Sequence, residues 1–544
     1  MMSDVLGIDE TILRVGSLAV LAVALLVSVS VLSRIEGRSR LFAGPRERFV
    51  FGIPWGTALV VVSVVAVYYL VQGGGKPGGP IVSGFRSWSL WYPQGILFSS
   101  FAHFNDAHLT GNMVGTVAFA PVAEYVWRHY PDDPDLSGWR GNPHARIGVF
   151  VAAVVSVGVL GSVVVPGAVI GFSGVVFAFA GFTIVTAPIE TVFAIVAIQV
   201  VRLLHSAVTD PFVVAQAQEQ FVRPSWANIA VQGHLYGLVV GVLLGVALLR
   251  YRDREPNLFA VFGAALVFAV SRSLQSVYWF LGNETYVLFT AIGAAGVFVL
   301  ATIIAVAACN PGDSSLPVFD VSGARAATGI LVALLLGLAV IGIPYNLVPV
   351  DGGPATADGS GIEVRDYTLT YAENVDDQYI GALEIPGVWE PSVSRSGVIV
   401  TSTQRNSWGV AISAQELATR RSATVALGDA TWRETVEISR TGWEVAGSNS
   451  TYKVYANRGD GWQELYAADP VTANLLINDS TITIRPADEF YELVVERDGE
   501  RIGVEQIPGP GGKTTIGSIQ FSRNGSALLA RHEGTVVQIA AFRS

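Results

Sequence analysis

Along the first 350 residues apolar positions run in long unbroken blocks, whereas beyond them apolar and polar residues alternate in short runs. Each block is close to the roughly 20 helical residues that cross a hydrocarbon core of about 30 Å. Ten membrane spans are predicted, at about 15–33, 50–71, 108–127, 147–166, 171–187, 190–208, 229–250, 258–281, 286–309 and 326–347. Acidic Asp4, Asp9 and Glu10 precede the first block, with only Arg14 near it, which predicts a retained span rather than a cleaved signal. Between the second and third blocks lies a long segment, 73–107. It opens with a Gly/Pro run from Gly73 to Pro80 and carries the interface-type aromatics Phe85, Trp88, Trp91 and Tyr92. It reads either as a surface loop with an aromatic belt or as a partly embedded loop.

After the tenth block, 351–361 is rich in Gly, Asp, Ala and Ser and reads as a linker. Then come alternating runs at 363–371, 431–439, 451–456, 481–485 and 491–496. Turn signals such as Arg458-Gly459-Asp460-Gly461 and Asp498-Gly499 separate them. This pattern predicts an all-β domain, with a sandwich as the natural form. The fold class expected is an all-α polytopic membrane bundle followed by a C-terminal all-β soluble domain.

Composition sharpens this picture. Hydrophobic residues make up 51% of the 544, and mean hydropathy is +0.47, as in a polytopic membrane protein. Residues 351–544 hold 26 acidic and 16 basic side chains, so the whole formal charge of −10 resides there. Lysine occurs only at 76, 453 and 513. Nothing in this balance points to nucleic acid. The lone Cys309 excludes an intrachain disulfide, and no Cys/His spacing suits zinc, so no metal or other cofactor is expected.

Loop charges set orientation. With the N-terminus outside, the inner loops hold Arg34, Arg38, Arg40, Arg46, Arg48, Arg128, Arg140, Arg146, Arg250, Arg252, Arg254 and Arg325. The outer loops before residue 350 hold only Arg14, Lys76, Arg86 and Arg223. This predicts an outer C-terminal domain. The N-x-S/T triplets at Asn283, Asn449, Asn478 and Asn524, candidate glycosylation sites, all fall on the outer side of such a chain.

Three polar motifs interrupt the apolar blocks. His108 and Asn112 are four apart, hence one turn apart on one helix face. Ser173 lies between Gly171-Phe172 and Gly174 at the head of the fifth block. His234 lies about five residues, roughly 8 Å of helix, into the seventh block. Blocks three, five and seven all enter from the outer face, so the four residues should share one depth. A serine hydroxyl needs a base, and His234 is the natural one. No acid is evident to orient it, so a Ser–His dyad is expected. Asn112 and His108 are candidate oxyanion donors, beside the Ser173 backbone N–H at a helix N-terminus. Gly171 and Gly174 allow close approach. Gly237, Gly241 and Gly245 form a small-residue stripe for tight packing of the seventh span on the fifth. Arg202 and Arg272, also within spans, are expected to snorkel or pair inside the bundle.

These motifs resemble the rhomboid family of intramembrane serine proteases. There a G-x-S-G serine pairs with a histidine two spans later, and an H-x-x-x-N pair supplies the oxyanion hole. The resemblance covers about residues 50–250. It implies Ser173 as nucleophile, His234 as base, and Asn112 and His108 as oxyanion donors. It also implies Phe177 as a ring stacked on the catalytic histidine, Glu124 as a structural acid, and His103 as a non-catalytic loop histidine. The family's Trp-Arg pair in the first outer loop is here Arg86 and Trp88, separated by Ser87.

The expected organisation is an added N-terminal span and basic inner loop (1–49), a rhomboid-like core (50–250), three added spans (251–348), a linker (349–362) and an extracellular β-rich domain (363–544). The expected activity is hydrolysis of peptide bonds in single-span membrane proteins near the outer face of the cell membrane. The partners are then those substrates and the bilayer, with no partner assigned to the β domain. The alternative is a catalytically inactive rhomboid-like protein that binds client membrane helices.

Overall fold

A computed structural model describes residues 10–36, 47–133, 135–210, 224, 226, 230–309, 322–350, 361–381, 393–488 and 490–544. Arg38, Arg40 and Arg46 of the expected basic loop, Arg223, and most of the expected linker lie outside these residues. The chain divides into two compact units. One comprises Met1–Gly75, Phe85–Trp279 and Tyr286–Leu347; the other comprises Lys76–Gly84, Phe280–Thr285 and Val348–Ser544.

The first unit is helical. Its helices are α1 (Glu10–Glu36), α2 (Trp55–Ala66), a short α3 (Pro93–Phe98), α4 (Asp106–Trp127), α5 (Pro143–Val164), α6 (Ser173–Thr186), α7 (Pro188–Thr209), α8 (Val231–Tyr251), α9 (Leu258–Ser271), α10 (Thr290–Ala308) and α11 (Gly323–Tyr345). Five of them, α5, α7, α8, α10 and α11, are long and apolar enough to cross a membrane, and α2, α6 and α9 are shorter apolar helices. The chain is a multi-pass membrane protein with an all-β C-terminal region.

Local sequence explains where these helices begin. The Asn105 side chain accepts from the His108 N–H at 2.8 Å, capping α4. Asn142 does the same for His144 and Ala145 ahead of α5, with Pro143 as the first helical residue. Glu124 near the end of α4 is fully buried, and its side chain bonds groups outside α4. It accepts from the Gly56 and Thr57 N–H groups at 2.7 and 2.8 Å, from the Thr57 hydroxyl at 2.8 Å, and lies 2.5 Å from His129 Nε2. A carboxylate thus meets the N-terminus of α2, where unpaired N–H groups and the helix dipole favour negative charge. His129 Nδ1 accepts in turn from the Val50 N–H, which leaves Nε2 to donate to Glu124.

One stretch departs from the hydropathy reading. The block 258–281 ends as a helix at Ser271, Ser273 takes a positive φ of 55°, and a hairpin of Tyr278–Gly282 and Thr285–Leu288 follows. Asn283 and Glu284 turn it with φ of 43° and 61°, the conformation of a two-residue hairpin turn. The next helix accordingly begins at Thr290.

The C-terminal part of the second unit holds three antiparallel sheets rather than the two of a simple sandwich. The largest runs in the order Trp462–Ala467, Ser450–Asn457, Arg433–Val445, Thr535–Arg543, Ala527–His532, Ile519–Asn524 and Lys513–Ile516, with Ser422–Gly428 also paired to Arg433–Val445. Ile362–Val364, Tyr367–Asp376, Ser394–Ser402 and Ser407–Ser413 form a second sheet, and Val471–Thr472, Ser480–Pro486, Tyr491–Arg497 and Glu500–Gln506 the third. Alternation along the strands separates two cores. Leu369, Tyr371, Val398 and Val400 of the second sheet pack with Val425, Val436, Ile438 and Val454 of the largest. Ile482, Ile484, Leu493 and Val495 of the third pack with Trp443, Phe521, Leu528 and Ile539. One sheet therefore backs two smaller ones. The segment Lys76–Gly84 belongs to this unit. Arg433 donates through Nη2 to the carbonyls of Pro77 at 2.8 Å and Gly79 at 2.5 Å.

A buried charge cluster closes the first of these cores. Arg405, 6% exposed, donates to Asp366 at 2.5 and 3.1 Å and to Asp429 at 3.0 Å. Burial alone would raise the Asp429 carboxyl, but hydrogen bonds from the Thr431 hydroxyl and N–H, with the Arg405 guanidinium, hold it down at about 2. A depressed carboxylate stabilises above its unfolded pKa, and that contribution disappears as pH falls through its folded pKa. Urea unfolding followed by tryptophan fluorescence should therefore show this unit losing about 2 kcal/mol between roughly pH 5 and pH 2. Asp429→Asn should flatten that loss; an unchanged pH profile would show that the cluster contributes nothing.

Candidate active site

Ser173 is the first residue of α6 and is half-buried. The turn before it is held by its own backbone. Gly171 has φ of +123°, a conformation that side chains with a Cβ rarely adopt, and its N–H donates to the Ser99 carbonyl at 2.8 Å. A Cβ on Gly171 would also meet the His108 ring, 2.5 Å from Cε1 and 2.8 Å from Nε2. The glycine lets an α4 imidazole lie directly against the turn that leads into Ser173.

The helices α6 and α8 approach almost backbone to backbone. A Cβ on Gly237 would fall on the Gly174 carbonyl, and one on Gly241 would fall on the Ala178 carbonyl. Glycine at both places lets the main chains touch. On the other side of α6, a Cβ on Gly115 of α4 would reach Val176 Cγ1 at 2.8 Å. Three helices thus converge around the first turns of α6.

Some of the residues singled out from the sequence meet here. The Phe177 ring, one turn after Ser173, stacks on the His234 ring with centroids 4.1 Å apart and planes 9° from parallel. Phe268 of α9 packs edge-on against Phe177 at 5.0 Å. His234 Nδ1 is buried and, among the described residues, has no hydrogen-bond partner. Among the described residues, this imidazole has the Phe177 ring as its neighbour and no acid. Asn112 is 7% exposed, and its Nδ2 has likewise no partner among the described residues. Its main-chain carbonyl accepts from the Thr116 hydroxyl. His103 is fully buried and edge-on to His108, with centroids 5.1 Å apart. Its backbone is clasped by Gln72, whose Oε1 accepts from His103 N–H at 2.7 Å and whose Nε2 donates to His103 O at 3.1 Å.

Two holding residues were not read from the sequence in this role. Arg86 donates through Nε and Nη2 to the Ala168 carbonyl at 3.0 and 2.7 Å. The Ser87 N–H donates to the Val169 carbonyl at 3.1 Å, and Val169 N–H donates back to Ser87 Oγ at 3.1 Å. Both act on main-chain groups in the turn before Ser173. The Arg86 guanidinium also lies 4.6 Å from the Trp88 ring centroid, over its face. The four triplet asparagines are all exposed, though Asn283 Nδ2 donates to Asn374 Oδ1 and Asn478 Nδ2 to Ser518 Oγ.

Residues 88–251 match the family model of the rhomboid domain. Every residue of the cluster except Gln72, Arg86, Ser87 and Phe268 falls within that range. No curated protein and no solved structure matches the chain.

The packing carries a stability expectation. Gly237→Val places side-chain carbons where the Gly174 main chain sits and should destabilise by about 1–3 kcal/mol, the usual cost of forced overpacking. Thermal unfolding of the purified protein in detergent measures it, and an unchanged midpoint would show that α6 and α8 do not meet through this glycine.

Proposed function

With a rhomboid domain over residues 88–251 placing the chain in that family, we propose that it is an intramembrane serine protease of ten spans, with its active site toward the outer face and its β domain extracellular. The reading draws its main support from one juxtaposition. Phe177 stacks on His234 one turn after Ser173, while Gly237 backs onto the carbonyl of Gly174. Nucleophile and base then come from helices fastened to each other beside both residues.

The chemistry proceeds without a metal. His234 takes the proton of the Ser173 hydroxyl as the oxygen attacks the scissile carbonyl. The tetrahedral oxyanion receives hydrogen bonds from Asn112 Nδ2, an amide donor with no protein partner among the described residues, from the His108 ring and from the N-terminus of α6. His234 then hands its proton to the leaving amine, and the acyl-enzyme forms. Water, deprotonated by the same imidazole, attacks the ester, and Ser173 recovers its proton as the acid product leaves. In place of a triad acid, the Phe177 ring fixes the imidazole plane. Substrates are single-span membrane proteins whose helices unwind near the cut, because a helical amide is closed to attack. The outer location is supported by the bias of inner-loop arginines over outer-loop cations. The intact set of Ser173, His234 and Asn112 favours an active enzyme over a client-binding relative.

Co-expression with a model single-span substrate tests this. Ser173→Ala and His234→Ala should abolish cleavage, and Asn112→Ala should slow it about 10²–10³-fold. Equal cleavage by wild type and Ser173→Ala would overturn the assignment.

A further inference from the structure

The last helix of the membrane unit, α11, lies beyond residues 88–251. Its C-terminal cap is Asn346, which is 1% exposed. The Asn346 amide is saturated by main-chain partners around the end of α5. Nδ2 donates to the carbonyls of Val163 at 3.0 Å and Val165 at 2.9 Å, and Oδ1 accepts from the Gly167 N–H at 3.1 Å. The main-chain carbonyl of Asn346 also accepts from Leu90 N–H at 2.9 Å. One turn earlier, a Cβ on Gly342 would fall on the Val164 carbonyl. The end of α11 is therefore fitted closely to the end of α5.

Those carbonyls belong to the last turn of a helix, where backbone acceptors lack intrahelical donors. Here the donor comes from a residue some 180 positions away in sequence. The chain then runs from Gly167 through Ala168 and Val169, held by Arg86 and Ser87, to Gly171, held by Ser99, and into Ser173. Asn346 is the tie at the α5 end of that series. Without it, two carbonyls, that of Val165 buried, and one N–H lose this partner together.

We infer that Asn346 is a positioning residue for Ser173, acting through the Val163–Gly167 turn. This rests on the reading of Ser173 as nucleophile. A nucleophile reaches its target only from a narrow range of positions, and an ångström of misplacement costs about 10²-fold in rate. Aspartate is the sharpest replacement. It keeps an acceptor for Gly167 N–H but removes both donors and turns a carboxylate toward two carbonyl oxygens. Glutamine keeps donors and acceptor on a longer stem.

The test uses the full-length protein in detergent with three readouts: the rate of Ser173 labelling by a fluorophosphonate, amide hydrogen exchange over 163–172, and thermal unfolding. Asn346→Asp should label about 10- to 100-fold more slowly and exchange faster at Gly167 and Val169. Asn346→Gln should recover part of the rate. Against a cleavable substrate the loss should appear in kcat, with KM little changed. Leu336→Ala, on the exposed face of the same helix, should leave labelling at the wild-type rate. Wild-type labelling and exchange in Asn346→Asp would overturn the inference. So would a loss of labelling no larger than the loss of folded protein, or one matched by Leu336→Ala. If wild type itself never labels, the protease reading fails on its own. Exchange then decides whether Asn346 holds the turn, and unchanged protection overturns that as well.

Discussion

The candidate site depends on the approach of two backbones. Where Gly237 meets Gly174 and Gly241 meets Ala178, α6 and α8 interlock at successive turns. The gain is more than dispersion energy. Contacts repeated one turn apart fix the axial register of the pair, because a slip of either helix would drive a bulky side chain into main chain. Ser173 and His234 stand at the entry ends of these same helices, so the register that packs the glycines also sets their mutual height. Phe177 completes the arrangement as a flat surface for the imidazole.

Elsewhere the chain solves a different problem, the placement of charge away from water, in one consistent way. Glu124 is buried among backbone donors, a hydroxyl and an imidazole. Arg405 is buried between two carboxylates. Each charge is met by several directed partners, the condition under which a buried ion is tolerable. Each also joins elements remote in sequence, α2 with α4 in one case and separate turns of the β region in the other. Most of the described acidic side chains beyond residue 361 are exposed or half-buried.

Ser173, His234, Asn112 and the glycine stripe stand out in the sequence because they break a pattern. A polar residue inside an apolar block carries a desolvation cost that invites an explanation, and helical spacing then says which polar residues share a face. Arg86, Ser87 and Asn346 were not legible in their holding roles, since their partners are main-chain carbonyls and amides. Every residue possesses those groups, so nothing at Val163, Val165 or Ala168 marks it as a partner. The hairpin after Ser271 escaped for another reason. Tyr278-Trp279-Phe280-Leu281 is as apolar as a span end, and a run this short has no period long enough to separate strand from helix. The β region was recognised from its alternation, but the sharing of one sheet between two cores is decided by pairings between distant strands.

The division of the chain has a consequence for its biosynthesis. Its path passes between the two compact units five times, because Lys76–Gly84 and Phe280–Thr285 fold with the C-terminal region. Ribosomes deliver those two segments long before Arg433 exists to bind the carbonyls of Pro77 and Gly79. Until Arg433 emerges, the carbonyls of Pro77 and Gly79 wait without that partner. The second unit is therefore assembled from three separate stretches of the chain. It is also one that no single proteolytic cut can release intact.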